Sequence, residues 1–238
     1  MASSAVSACL SKFWIWAEKH GSGAHFFRGQ ADSSDIVPKV ARREYQYSAA
    51  RERALFNAFK SQARPFLKVA ITSDWEWLAL AQHHGAPTRL IDWSTSPLVA
   101  AWFAVTSFPL ATDAYIFALD VGRTDLETVN SSTGQIGSGA TINDPLAVTT
   151  GVFLMETSPV SSRITTQRGL FTLHGDPKKA LPVPRRKQFV IPAAMRTDFQ
   201  KRLLDLGIDA AHIYPDLDGL SKSLDWRMRT GAGFSAVA

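Results

Sequence analysis

The chain has 238 residues, 45% of them hydrophobic, with seven tryptophans and fourteen phenylalanines, which suffices for one large packed domain or two small ones and excludes a disordered chain. The formal net charge of +5 favours an anionic partner without naming one, and the single Cys9 excludes an internal disulfide or a multi-cysteine metal site. No run of 18 apolar residues occurs and the N-terminus lacks a basic leader, so no membrane contact, no signal peptide and a cytoplasmic location are expected.

Residues 5–19 space Val6, Leu10, Phe13, Trp14 and Ala17 on one face of a predicted helix, ended by Gly21 and Gly23. The sequence HFFRG at 25–29 reads as a short buried strand. Arg28 in that apolar setting needs an anionic partner, either an internal carboxylate such as Glu44 or Glu52, or a bound phosphate or carboxylate. A loop over 31–43 leads to a second helix over 48–63, with Leu55, Phe59 and Ala63 on one face beside Phe56. Ser73 with Glu76 forms a capping box for a third helix over 74–84, and Gly85 with Pro87 stops it. His83 and His84 fall at its C-terminal end, where they either cap the helix or act in a site.

The stretch 82–105, QHHGAPTRLIDWSTSPLVAAWFAV, organises the chain. Its first half, read as a polar loop, gathers Gln82, His83, His84, Thr88, Arg89, Asp92, Trp93, Ser94, Thr95 and Ser96. Its second half is apolar on every face, with Ser96 as cap and Pro97 at the first helical position. A helix apolar all round belongs in a core, with Trp102 and Phe103 inside it, so the polar half is tied to the middle of the protein. Beyond it, strands are predicted at 114–120, 152–156, within 164–175, at 188–192 and at 208–214. The intervening 121–150 is rich in Gly, Ser, Thr and Asn and reads as a long, mobile loop with little regular structure. A helix over 195–206 turns Met195, Phe199, Leu203 and Leu206 inward, and Leu217, Leu220 and Leu224 mark a closing helix. The basic residues Lys178, Lys179 and 185–187 form a loop that is either a solvated surface or a weak nucleic-acid contact. With no linker or repeat, 1–238 reads as a single α+β domain with a bent mixed sheet and packed helices.

Several motifs together resemble the FRG domain family, known from bacterial and phage proteins. They are Phe27-Arg28-Gly29-Gln30, the block AQHHGAPTRLIDWSTSPLVAAWFA, Arg163-Ile164 followed by Gln167, Gly169 and Phe171, and finally Gly207-Ile208 with the segment 215–219. A more distant resemblance is to ADP-ribosyltransferases, which place an Arg or His on an early strand, a Ser-Thr-Ser or Tyr element before a helix, and a late Glu or Gln. Here Arg28, Ser94-Thr95-Ser96 and Gln167 fall in that order, with Gln167 where a glutamate is usual. The resemblance implies an ADP-ribosyltransferase-like fold. It also implies NAD as substrate and transfer of ADP-ribose to an unknown macromolecular acceptor or to water, in a toxin or defence setting.

On that reading Arg28, His84, Asp92 and Gln167 are catalytic, while Arg28, Gly29, Thr88, Arg89, Trp93, Ser94, Thr95 and Ser96 bind the nucleotide, and no metal takes part. The alternative is a non-catalytic module that binds a nucleotide, nucleic acid or protein. A metal hydrolase built on His83, His84 and Asp92 is disfavoured, since adjacent histidines at a helix end point apart.

Overall fold

The AYIFALD segment alternates little and is apolar almost throughout, which suits a strand covered on both faces. In the computed structural model it forms β3 (Ala114–Asp120), with Ala114, Ile116 and Ala118 fully inaccessible. The structure describes residues 2–21, 25–67, 70–123, 126–137, 139–156, 169–181, 183 and 187–233. Strand β1 (His25–Gln30) pairs antiparallel with β3 along its whole length, from His25 opposite Asp120 to Gln30 opposite Tyr115. On the other side of β3 lies β7 (Gln188–Ile191), also antiparallel.

The second half of the sheet is built on β2 (Leu90–Ser94), antiparallel to β6 (Gly169–His174) over five residue pairs. Strand β5 (Val152–Glu156) continues it, and β4 (Glu127–Asn130) adds a parallel edge. The order is β4-β5-β6-β2-β1-β3-β7. The two halves meet where β1 and β2 share one registered pair, Phe27 opposite Ser94. This mixed sheet and its helices make a single α+β domain.

Helices α1 (Ala2–His20), α4 (Pro97–Thr106) and α5 (Arg196–Asp205) share one core with β1, β3 and β7, centred on Phe13, Phe27, Ala101 and Phe199. Helices α2 (Ala49–Ala63) and α3 (Asp74–His83) share another with β2, β4, β5 and β6, centred on Trp75, Leu78, Met155 and Leu173. Ser48, Ser73 and Ser96 cap α2, α3 and α4 by accepting from Arg51, Trp75 and Val99 N–H groups. The Ser73 hydroxyl also donates to the Ser131 carbonyl, and Glu76 accepts from Ser132. The C-terminus of α4 is closed by Arg196, which is 3% exposed and donates to the carbonyls of Ala104, Val105, Ser107, Pro109 and Thr112. Among the described residues no helix is long and apolar enough to cross a membrane.

Five expectations change. LIDWS is a strand, not a polar loop, because its apolar residues are buried from both faces of the sheet. Phe103 is only half-buried, whereas Trp102 is core. The segment 121–150 contains β4 and the antiparallel bridges Val129–Ile136 and Gln135–Thr141, so backbone pairing overrides its polar composition. The predicted strand at 208–214 is instead the short helix α6 (Ala210–Ile213), capped by Asp209, which accepts from His212 N–H. Asp209 also accepts from Ser223 and Arg227 of α7 (Leu217–Thr230), and these bonds turn the polar side of α7 inward. Leu217, Leu220 and Leu224 therefore face solvent, as does Leu206, which lies just past the end of α5.

The second core contains a buried ion pair. Arg89 and Glu52 are each 3% exposed and joined by two hydrogen bonds of 2.8 and 2.6 Å, and Arg89 also donates to the Val148 carbonyl. Burial lowers the Arg89 pKa, but the Glu52 bonds outweigh it and the pKa is raised. Removing one partner strands the other charge, at a cost of about 3–5 kcal/mol. Urea melts of Glu52→Gln and Arg89→Met should each show such a loss, with the double variant Glu52→Met/Arg89→Met less destabilised than the worse single one. Additive losses would contradict a paired, desolvated interaction.

Candidate functional site

Where β1 and β2 part, the sheet opens into a cleft of about 270 Å³. Its walls come from both helical groups: Gln82 and His83 at the end of α3, and Val99, Ala100 and Phe103 on α4. Its floor is Phe27, Arg28 and Gly29 of β1, Asp92, Trp93 and Ser94 of β2, and Gly169 and Phe171 of β6. Ser107 and Tyr214 close the far end.

The three residues Phe27-Arg28-Gly29 have three separate roles. Phe27 is 1% exposed and packs edge-on against Trp16, so its ring anchors the strand in the core. Gly29 lets α4 approach: a Cβ there would lie 2.0 Å from the Ala100 carbonyl oxygen and 2.4 Å from the Ala104 nitrogen. Arg28 reaches across the seam. Its Nη1 donates to the Asp92 carbonyl at 2.9 Å, in place of a ladder bond, and its Nε donates to Gln30 at 3.2 Å. Neither Glu44 nor Glu52 holds it, since Glu52 is taken by Arg89. The nearest carboxylate oxygen is Asp92 Oδ2, at 3.9 Å, too far for a tight pair. Nη2 has no acceptor among the described residues. Burial lowers the Arg28 pKa and Asp92 opposes this, but a guanidinium stays charged at any ordinary pH.

Asp92 projects into the cleft with 55% of its side chain exposed. Desolvation raises its pKa, while the Arg28 charge and the Gln82 hydrogen bond pull the other way. Burial is the larger effect, so the Asp92 pKa is raised above the usual carboxylate range. Gln82 is locked in one orientation. Its amide oxygen accepts from Thr88 Oγ1 at 2.6 Å, so its NH₂ faces Asp92 Oδ2, also at 2.6 Å. Thr88 Oγ1 in turn accepts from Leu90 N–H.

The residues proposed from sequence are distributed as follows. Arg28, Gly29, Asp92, Trp93 and Ser94 come together in the cleft. Thr88 stands behind it, acting through Gln82. Arg89 lies in the second core and belongs to the Glu52 pair rather than to the cleft. Thr95 is exposed and Ser96 caps α4, and neither lines the cleft. Of the two histidines, His83 lines the cleft, while His84 is exposed just past the helix end, their rings perpendicular. The sequence did hold a signal for this. Gly85 is the left-handed stop of α3, so His83 falls in the last helical turn and His84 beyond it. Gln167 lies outside the described residues. Lys187 is withdrawn from the basic loop by a 2.6 Å bond to Asp120.

Residues 23–111 match the family model for the FRG domain, and the match spans both Phe27-Arg28-Gly29 and the whole of α3, β2 and α4. The chain carries an FRG domain. No curated protein and no solved structure matches it. The FRG domain thus supplies the helical walls and the β1 and β2 part of the floor, and the residues after 111 supply β6, Tyr214 and the remaining strands.

Two predictions come from this geometry. Gly29→Ala should fail to reach the native state or lose most of its stability, since the clash is with backbone atoms that cannot move aside. A Gly29→Ala protein with an unchanged melting temperature would show that α4 is not fixed against β1.

The other concerns His174, which is 1% exposed on β6. The Trp93 indole N–H donates to Thr172 Oγ1 at 3.0 Å, leaving the Thr172 proton for His174 Nε2 at 3.1 Å. Burial, with the Arg28 charge added, pushes the His174 pKa down to about 4. The unfolded chain binds this proton near pH 6.5, the folded one only near 4, so lowering the pH between those values favours unfolding. About 3 kcal/mol of stability should be lost across that window and no more below it. Denaturation midpoints for His174→Gln should fall less steeply from pH 6.5 to 4 than those of the parent. Parallel profiles would refute the assignment.

Proposed function

We propose that this FRG domain protein is an ADP-ribosyltransferase-like enzyme that takes NAD in the β1–β2 cleft and passes ADP-ribose to an acceptor or to water. The observation that supports this most directly is Arg28, a guanidinium in an open cleft with Nη2 unused among the described residues and Asp92 across from it. A volume of about 270 Å³ falls at the lower edge of small-molecule sites. It suits one ring-and-sugar half of a dinucleotide, with the diphosphate on Arg28 at the seam.

NAD supplies a glycosidic C–N bond whose cleavage puts positive charge on the ribose. Asp92 is the group in the cleft that stabilises such charge, and the amide of Gln82 keeps its carboxylate in place. Arg28 grips the anion through Nη2 while Nη1 and Nε stay on Asp92 and Gln30, a division of roles that its planar fork permits and a lysine does not. Phe27 and Trp93 hold the floor, and the half-buried Phe103 on the α4 wall offers a face for the departing nicotinamide ring. His83 takes the place assigned from sequence to His84, accepting the proton that the attacking hydroxyl, amine or water gives up. Gln167, outside the described residues, keeps the role the resemblance implies for it, polarising the acceptor or holding the ribose.

The experiment is nicotinamide release and NAD affinity measured on the same variants. Arg28→Lys should weaken NAD binding roughly 30-fold or more, the equivalent of losing about 2 kcal/mol from a buried charged contact. Asp92→Asn should keep binding and lower nicotinamide release by about two orders of magnitude. Melting temperatures separate either effect from unfolding. If the wild-type protein neither binds NAD nor releases nicotinamide with a cell lysate as acceptor, the reading is wrong. Salt-sensitive binding of a polyanion instead would favour the binding-module alternative.

A further inference from the structure

The loop that follows β1 carries a second arginine beside the cleft. Arg28 stands opposite Phe117 in the sheet, so the two side chains leave it on one face. That face is covered by Ile36, which is buried and packs in one cluster with Phe117, Ile91 and the cleft residue Trp93. The loop is tied down on either side of Ile36. Gln30, which accepts from Arg28, donates to the Ser34 carbonyl, while Val40 N–H donates to the Thr88 carbonyl and Lys39 Nζ to that of Gly85. Arg42 comes next, extended between two single turns of 3-10 helix, Lys39–Ala41 and Arg43–Tyr45. Its side chain is exposed, and its guanidinium has no acceptor among the described residues. Burial is the largest influence on the pKa values of Arg28 and Asp92, and the charge of Arg42 acts on both, lowering each. An exposed cation that acts on two residues of the cleft stands at its rim. Even with Asp92 ionised, two guanidinium groups face one carboxylate, and the surplus of positive charge favours an anion.

We propose that Arg42 is the second cation of an anion site begun by Arg28, and that the pair makes the cleft select a diphosphate over a single phosphate. The choice of a diphosphate rests on the NAD reading, which leaves the seam to Arg28 alone. The two arginines have different parts. Arg28 is held in the floor, with Nη1 and Nε on Asp92 and Gln30 and Nη2 left for one phosphate. Arg42 stands further out, so a single phosphate seated on Arg28 leaves it unused, whereas a diphosphate extends from floor to rim and meets both. Because Arg42 is exposed, it contributes a screened charge rather than a fixed fork. That contribution falls with salt, and a lysine in its place keeps most of it.

Isothermal titration calorimetry on the full chain with inorganic pyrophosphate and inorganic phosphate, at low and high salt, tests this. The wild-type protein should bind pyrophosphate more tightly than phosphate. Arg42→Gln should weaken pyrophosphate binding roughly fivefold or more at low salt, leave phosphate within about twofold, and lose its difference from wild type at high salt. Arg42→Lys should stay within about twofold of wild type for both anions. Arg42 is exposed and unpaired, so both variants should melt with the wild type. A wild-type protein that does not bind pyrophosphate overturns the proposal. So does an Arg42→Gln variant that binds it as tightly as wild type, or an equal loss for the two anions. Adding NAD to the same titrations separates the two readings. If pyrophosphate binding depends on Arg42 but NAD neither displaces it nor releases nicotinamide, the anion site stands and the NAD reading falls. If NAD binds and is cleaved equally by wild type and Arg42→Gln, the NAD reading stands and the second cation is overturned.

Discussion

The close approach of β1 to α4 at Gly29 is the constraint on which the rest of the site depends. With a hydrogen where any other residue has a Cβ, the strand lies directly against the Ala100 and Ala104 backbone. That contact fixes the height of β1 above the helix and aligns it fully with β3. It also leaves β2, which packs on the other helical group, to meet β1 at a single pair. A sheet held to two separate cores opens where the two are joined. The cleft is the gap so created.

Arg28 is what makes that gap tolerable. A carbonyl left without a ladder partner in a buried seam is costly, and the guanidinium supplies the missing donor to Asp92. The same side chain brings a positive charge to a place shielded from solvent, which has consequences on both faces of the sheet. It draws the Asp92 pKa down against the larger upward push of burial, and it adds to the burial that lowers the His174 pKa. The cation so placed satisfies the Asp92 carbonyl through Nη1, while Nη2 has no acceptor among the described residues. For that reason loss of Arg28 has to be read against stability as well as affinity.

Much of this was legible in the sequence, and the failures have physical causes. The apolar runs AYIFALD and PLVAAWFAVT became β3 and α4 because both are buried on nearly all sides and need no further information to place. Arg28, Asp92 and Ser94, singled out because a polar group embedded in apolar sequence must find a partner, line one cleft. Arg89 satisfies the same description and lies elsewhere, since its partner Glu52 comes from a helix 37 residues away that no local pattern reveals. Leu217, Leu220 and Leu224 mark the closing helix by their spacing, and the stripe they form faces solvent. Periodicity shows that such a stripe exists, whereas Asp209, through Ser223 and Arg227, decides which side faces inward.

The choice between the two adjacent histidines shows how finely the site depends on a helix end. One residue along α3 is a rotation of about 100°, so His83 and His84 cannot both face the cleft. Helix α3 stops at His83 because Gly85 takes a left-handed conformation and Ala86 N–H closes back on the Ala81 carbonyl. Shifting that stop by a single residue would carry Gln82 away from Asp92 and undo the Thr88–Gln82–Asp92 chain along with the placement of His83. The turn at 84–87 therefore sets the register of two cleft side chains, Gln82 and His83, while contributing none of its own. This accounts for the run Gln-His-His-Gly-Ala-Pro-Thr as a unit: two polar side chains to face the cleft, a stop to fix where they point, and a threonine to hold the first of them in place.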